Sequence, residues 1–190
     1  MSALLTAPLK KSPPLLTAEE FAEQYSGHRM ELVDGRPVET PMPNQRHGKI
    51  CGMIGFFLTL FCRAKDFGHV MTCDTFVIVK RDPDAMRCAD VYFISYSRLA
   101  KGSVPGGILD VIPELVFEVE SPSDRPGEIS TKISEYLAAG VSCVVSVDPE
   151  TESATAHRIG RRPKKYNRKQ IMNFPDILPG FDLPLAELFA

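Results

Sequence analysis

The sequence predicts an α/β fold with a mixed central sheet, and three observations carry that prediction. Three strand-like runs, 69–80, 88–95 and 113–121, follow one another in quick succession through turn-rich connections, as in a meander. "EISTKISEYLAAG" (128–140) then sets Ile129, Ile133, Tyr136 and Leu137 on one helical stripe, with Gly140 placed to cap it. Finally, "VSCVVSV" (141–147) is a continuous apolar run, as expected of a strand buried on both faces. A strand–helix–strand unit over 115–147 implies a right-handed crossover between parallel strands.

The remaining elements follow in chain order. Residues 1–14 hold three prolines and little periodicity, and read as a flexible arm ahead of one domain over 15–190. In "LTAEEFAEQY" (16–25), Thr17 is followed three residues on by Glu20, a capping-box signal for a short helix. "MELVDGRPVET" (30–40) is two strand-like runs around Asp34-Gly35, the pairing that favours a tight hairpin. Asn44 is placed to cap a helix over about 45–66 that is apolar around much of its surface, with Gly68 expected to end it. "ATAHRIG" (154–160) reads as an edge strand with which "KKYNRKQI" can pair, giving a C-terminal edge hairpin.

Composition narrows the class. Of 190 residues, 44% are hydrophobic and 24% charged, which is globular usage. A net charge of −2 gives no global attraction to nucleic acid, so any such binding needs a local patch. The five cysteines are odd in number and lack CxxC spacing, which argues against a zinc ribbon or a disulfide framework and for a reduced, cytoplasmic protein. Cys51 and Cys62 fall on one helix face and read as buried apolar residues. The longest apolar stretch, "ICGMIGFFLTLFC" (50–62), is 13 residues, short of the ~20 a spanning helix requires, so no membrane partner is expected.

Chemistry concentrates around "LVFEVESPSD" (115–124). Alternation puts Leu115, Phe117 and Val119 on one face of the strand and Val116, Glu118 and Glu120 on the other. A strand feeding a crossover is covered on both sides, and unpaired buried carboxylates are costly there, so a cation should stand opposite. Asp90, in the neighbouring strand run, and Glu31, in the hairpin, are acids that can converge on the same place. Hard ions such as Mg²⁺ take one or two carboxylates together with water and phosphate. Lys132, beside the helical stripe, reads as a snorkelling surface residue or as a cation leaning over the acid-bearing strand end.

Taken in order, "YSGHRMELVDGRPVETPMPNQRHGKI", "CADVYFIS", "PELVFEVESPSD", "STKISEYLAAGV" and "SVDPET" resemble the Uma-two family of putative restriction endonucleases, a branch of the PD-(D/E)xK nuclease superfamily. The resemblance runs from about Leu16 to the end, "LPGFDLPLAELF" included. It implies a restriction-endonuclease-like core of helix, three-stranded meander, helix and parallel strand. It also implies a metal-dependent endonuclease hydrolysing DNA phosphodiester bonds, with Mg²⁺ (Mn²⁺ as substitute), DNA as partner and a homodimer. Asp90 and Glu118 resemble the family's motif acids, Glu31 its N-terminal active-site acid, and Lys132 its helix lysine. Asp90, Glu118 and Glu31 would hold metal; these three, Glu120 and Lys132 are the catalytic candidates.

Glu120 departs from the family, which usually has an apolar residue there; it either adds a functional acid or pairs with Lys132 and weakens catalysis. His47 matches a histidine common in the family and reads as a capping or core-edge residue, with a proton relay as the sharper alternative. The Lys/Arg-rich stretch 157–169 reads equally as a solvated hairpin or as a DNA-backbone contact through Arg161, Arg162, Lys164, Lys165 and Arg168. The competing function is a nuclease fold without catalysis that binds DNA or a protein partner, its acids held by Lys132 and nearby arginines as an ion-pair network. RNA or branched DNA is a further substrate option.

Overall fold

The computed structural model describes residues 13–122, 124 and 127–190. Most of the expected arm, residues 1–12, lies outside them. Helix α1 (Ala18–Tyr25) begins with a reciprocal capping box in which the Thr17 side chain accepts from the Glu20 N–H while the Glu20 carboxylate accepts from the Thr17 N–H. Strands β1 (Met30–Val33) and β2 (Arg36–Glu39) form the hairpin, and both turn residues, Asp34 and Gly35, have positive φ. Asn44 caps helix α2 (Gln45–Lys65) by accepting from the His47 N–H at 2.8 Å.

The end of α2 differs from the sequence expectation. Asp66, in the left-handed conformation, is the C-cap, and Gly68 opens strand β3 (Gly68–Lys80). Glycine is required at 68 for another reason: a Cβ there would lie 2.4 Å from the Ile94 carbonyl oxygen.

Strand β4 (Ala85–Ser95) is the organising element. It pairs antiparallel with β3 along its whole length, with β5 (Leu115–Val119) at Val91, Tyr92 and Phe93, and with β1 at Met86. Met86 has Ile78 on one side and Leu32 on the other; Val91 likewise has Thr72 and Phe117. A strand has two edges, so β3 takes one while β1 and β5 share the other, end to end. The N-terminal end of β1 and the C-terminal end of β5 therefore meet beside residues 87–90 of β4.

Helix α3 (Glu128–Ala139) crosses from β5 to β6 (Cys143–Asp148), which lies parallel to β5 as expected. Gly140 caps α3 at φ 103°. Strands β7 (Ser153–His157) and β8 (Lys164–Asn167) extend the sheet antiparallel; the outermost strand is β8, so the 154–160 run lies one place further in than an edge strand. The sheet has eight strands, ordered β2-β1-β4-β5-β6-β7-β8 with β3 on the other edge of β4.

The sequence reading left 171–190 without elements. Strands β9 (Ile171–Phe174) and β10 (Leu178–Pro184) form a separate two-stranded sheet, followed by the single turn α4 (Leu185–Leu188). Met172, Phe174, Phe181, Leu183, Leu185 and Leu188 pack with α2 and with the Leu115/Phe117/Val119 face of β5. On the opposite face, Ile133 and Tyr136 of α3 pack with Val116, Tyr92 and Val144. Both faces of β5 are thus covered, which makes every polar group on it expensive unless partnered. Among the described residues no helix is long and apolar enough to cross a membrane.

Candidate active site

Three acids meet where β1 and β5 abut beside β4. Glu31, Asp90 and Glu118 are buried, and all three line one narrow polar cavity of about 60 Å³ with His47, Cys88, Asp124 and Lys132. That is room for an ion and a few waters.

Glu118 projects from β5 toward α3, on the face opposite Phe117, as alternation requires. Its Oε1 accepts from the Tyr136 hydroxyl at 2.8 Å, and its Oε2 lies 3.6 Å from Lys132 Nζ. Burial, then the charges of Asp90 and Glu31, push the Glu118 carboxyl up to about 8, although Lys132 and the Tyr136 hydroxyl pull it down. Lys132 also lies 2.9 Å from Glu31 Oε1. Burial alone would depress this ammonium, but Glu118, Glu31 and Asp90 together hold it above its ordinary value, so it stays charged.

Glu31 is gripped on both oxygens. Oε1 accepts from the Cys88 N–H at 3.1 Å besides contacting Lys132, and Oε2 accepts from Arg87 Nη1 at 2.8 Å. Arg87 in turn donates to Glu135 of α3 through Nε at 2.5 Å and Nη2 at 3.0 Å. This buried guanidinium ties β1, β4 and α3 into one unit. The sequence reading missed it; its signal was the one basic residue, three positions before Asp90, in a largely apolar strand.

Asp90 is oriented from two sides. Its Oδ2 accepts from the Val119 N–H at 2.6 Å and lies 3.2 Å from His47 Nε2. Opposite Asp90, two residues of β3, Cys73 and Asp74, stand against one of β4: a bulge, with Cys73 at φ 67°. Bulges are common beside functional sites because they re-aim a neighbouring side chain. His47 is therefore more than a helix-end residue, since it joins the first turn of α2 to the central strand. Its ring also contacts the Cys51 thiol, Sγ to Nδ1 at 3.5 Å. His47, Cys51 and Asp90 offer three donor atoms within 4.8 Å of one another, a cluster able to hold a metal ion.

The other candidates sit elsewhere. Glu120 follows the last residue of β5, anchored by its N–H to the Val147 carbonyl at 2.8 Å, and is half-buried. Burial and the charges of Asp148 and Asp124 raise its carboxyl, while Lys165 lowers it; its side chain is not among those lining the cavity. Among the described residues, the ion-pair partners of Lys132 are Glu31 and Glu118. Asp124, unassigned from sequence, accepts from the Ser121 N–H at 2.7 Å at the cavity wall. Ser123, Arg125 and Pro126 of that loop lie outside the described residues.

Arg161, Arg162, Lys164, Lys165 and Arg168 are exposed. Arg168 pairs with Glu152 at 2.8 Å, and Lys164 lies 4.6 Å from the centre of the Tyr166 ring. Register carries Glu118 to Ser146, Ser146 to Thr155 and Thr155 to Lys165 across four neighbouring strands. Directly opposed residues share a face. Lys165 therefore shares the Glu118 face, three strand spacings or about 14 Å away.

Comparison with known proteins agrees with this architecture. A family described as "Uma2: Putative restriction endonuclease" matches residues 18–186. No curated protein matches. A crystal structure described as a putative nuclease of the DUF820 group from Anabaena variabilis superposes with a TM-score of 0.79. It is 16% identical and covers 92% of this chain and 97% of its own, so the two share a fold. With the matched segment spanning most of the chain, this protein belongs to the Uma2 family of putative restriction endonucleases.

Proposed function

We propose that this cavity hydrolyses DNA phosphodiester bonds with a hard divalent cation held by Asp90 and Glu118. The observation that carries the proposal is a charge deficit. Among the described residues lining the cavity, five carboxylates, Glu31, Asp90, Glu118, Asp124 and Glu128, face two cations, Arg29 and Lys132, and Glu118 resists ionisation through its burial first and the charges of Asp90 and Glu31 after it. Buried oxygen donors short of positive charge suit Mg²⁺, or Mn²⁺ in its place. Such an ion supplies a water ionised near neutral pH and a counter-charge for the phosphate.

The chain's own groups do the rest. The Tyr136 hydroxyl and the Val119 N–H set the directions of Glu118 and Asp90. Lys132, kept charged, is poised to meet the negative charge that builds on the phosphate during attack. Both Glu31 oxygens are held at 3.1 Å or closer, whereas Glu118 Oε2 has only the looser 3.6 Å contact to Lys132, so Glu31 acts in this reading by anchoring Lys132, leaving Asp90 and Glu118 as the ion's carboxylates. Lys165, on the face of Glu118, is the hairpin residue best set to touch backbone phosphate, which adds affinity without reading sequence. One such site cuts one strand, so double-strand cleavage calls for two copies of the chain.

One observation favours the second reading, an inactive nuclease-fold module: Lys132 already bridges Glu31 and Glu118, as a purely structural network would. Metal titration separates the two. Millimolar Mg²⁺ or Mn²⁺ should raise the Tm of the enzyme and support plasmid cleavage, and Asp90→Asn should abolish both. If neither ion shifts the Tm and no DNA is cut, the enzyme reading is wrong.

A further inference from the structure

His47 and Asp90 line two cavities. One is the polar cavity of the acids; the other is an apolar groove of about 650 Å³ along α2, walled by Cys51, Gly52, Phe56, Leu60 and Cys73. Cys51 lines only the groove. One side of the His47–Asp90 pair therefore offers oxygen donors to a hard ion, while the other adds a thiol.

We propose that His47, Cys51 and Asp90 form a binding site for a borderline divalent cation of the Zn²⁺ class, and that its occupancy withdraws Asp90 from the Mg²⁺ or Mn²⁺ ion of the neighbouring cavity. The geometry already approaches the coordination required. With Nε2 as the imidazole donor, His47 lies 3.2 Å from Asp90 Oδ2 and 4.0 Å from Cys51 Sγ. A tetrahedral ion with bonds of ~2.0–2.3 Å holds its ligands ~3.3–3.8 Å apart, so these two separations need to change by only a few tenths of an ångström, while Cys51 Sγ and Asp90, within 4.8 Å of each other, would close by up to about 1 Å. His47 and Cys51 are one helical turn apart on α2, which fixes two ligands on a rigid element, and β4 holds the third.

The donors also discriminate between ions. Nitrogen and thiolate ligands favour Zn²⁺ and Co²⁺ over Mg²⁺, which prefers oxygen. On binding, the Cys51 thiol gives up its proton to solvent and the His47 ring carries its remaining proton on Nδ1. Three protein ligands leave a fourth position open, toward the groove or the acid cavity. Asp90 cannot serve both ions in the same way, so Zn²⁺ acts as an inhibitor of the metal-dependent activity. This last consequence rests on the reading of the acid cavity above; the site itself does not.

Co²⁺ titration of the full chain tests the site without any cleavage assay. One equivalent should bind with a thiolate-to-Co²⁺ absorption band in the near ultraviolet, and Zn²⁺ should displace it. Cys51→Ser should remove the band, and His47→Gln and Asp90→Asn should each weaken Co²⁺ at least tenfold, with folding checked by circular dichroism. Cys73→Ser and Cys88→Ser should retain the band. A missing band, or one that survives Cys51→Ser, overturns the site. Mn²⁺ titrated into Zn²⁺-loaded protein should bind at least tenfold more weakly than into metal-free protein; equal Mn²⁺ affinity overturns the sharing of Asp90. A chain that binds Co²⁺ through Cys51 yet cuts no DNA with Mg²⁺ or Mn²⁺ keeps this site and loses the nuclease reading.

Discussion

Lys132 Nζ lies 2.9 Å from Glu31 Oε1, so a lysine of the crossover helix is held by an acid of the N-terminal hairpin, 101 positions earlier in the chain. The contact closes the end of the cavity between β1 and β5 and keeps the ammonium over Glu118.

Removing that cation leaves two buried acids facing each other. Lys132→Met should destabilise the fold by up to about 3–5 kcal/mol, the cost of breaking a buried pair, reduced because Glu118, its carboxyl raised to about 8, already holds most of a proton at pH 7. Urea unfolding at pH 7 measures the loss. DNA cleavage should fall at least 100-fold in the same variant, as expected when charge stabilisation at the phosphate is lost.

Tyr136→Phe removes one donor from Glu118 with little change in volume. The hydroxyl favours the ionised carboxyl, so its loss should move the Glu118 pKa further up and the acidic limb of the pH–rate profile to higher pH. Stability should drop by about 1 kcal/mol, a typical net hydrogen-bond contribution. A profile that does not move would detach Glu118 from that limb.

Stability should depend on pH in an unusual direction. Glu118 is raised from 4.5 to about 8 in the folded chain, so the native state holds a proton that the unfolded state has lost between those values. In that window the native state binds more protons, and metal-free stability falls as pH rises. Denaturant midpoints at pH 5 and pH 8 should show the fall, and Glu118→Gln should flatten it. A divalent ion binds the ionised carboxylate, so its stabilising effect should be larger at pH 8 than at pH 5.

Gly68→Ala should be strongly destabilising although φ at 68 is not positive. The added methyl would press on the Ile94 carbonyl and the Ser95 Cα at 2.4 and 2.9 Å, both backbone. Overpacking of this kind costs about 1–3 kcal/mol. At Gly27, where a Cβ meets nothing within 4 Å but φ is +78°, alanine should cost only about 1 kcal/mol. Thermal melts of the two variants check the order.

Lys165→Ala should weaken DNA binding about equally for all sequences and lower the slope of log K against log salt by about 1. Arg168→Ala should do less, because its charge is already matched by Glu152. Fluorescence anisotropy over a salt series distinguishes these outcomes from a change in sequence preference.

Local chemistry was legible in the sequence. The Thr17–Glu20 capping box, the Asp34-Gly35 turn and the Asn44 cap each depend on residues within a few positions, and each forms as expected. Alternation along 115–119 placed Glu118 on the face opposite Phe117 and required a cation there, which Lys132 supplies. What the sequence left open was set by strand placement across the sheet. Because β1 and β5 share one edge of β4, Glu31 reaches Arg87, Cys88 and Lys132, and no pattern within the hairpin encodes those partners. The same holds for His47 and Asp90, 43 positions apart, and for Gly68, whose need for a bare Cα arises from a carbonyl 26 residues away. Periodicity and capping are properties of neighbours in the chain, so one sequence suffices to read them. The pairing of buried charges depends on which distant backbones are brought together, and that was decided only in the folded sheet.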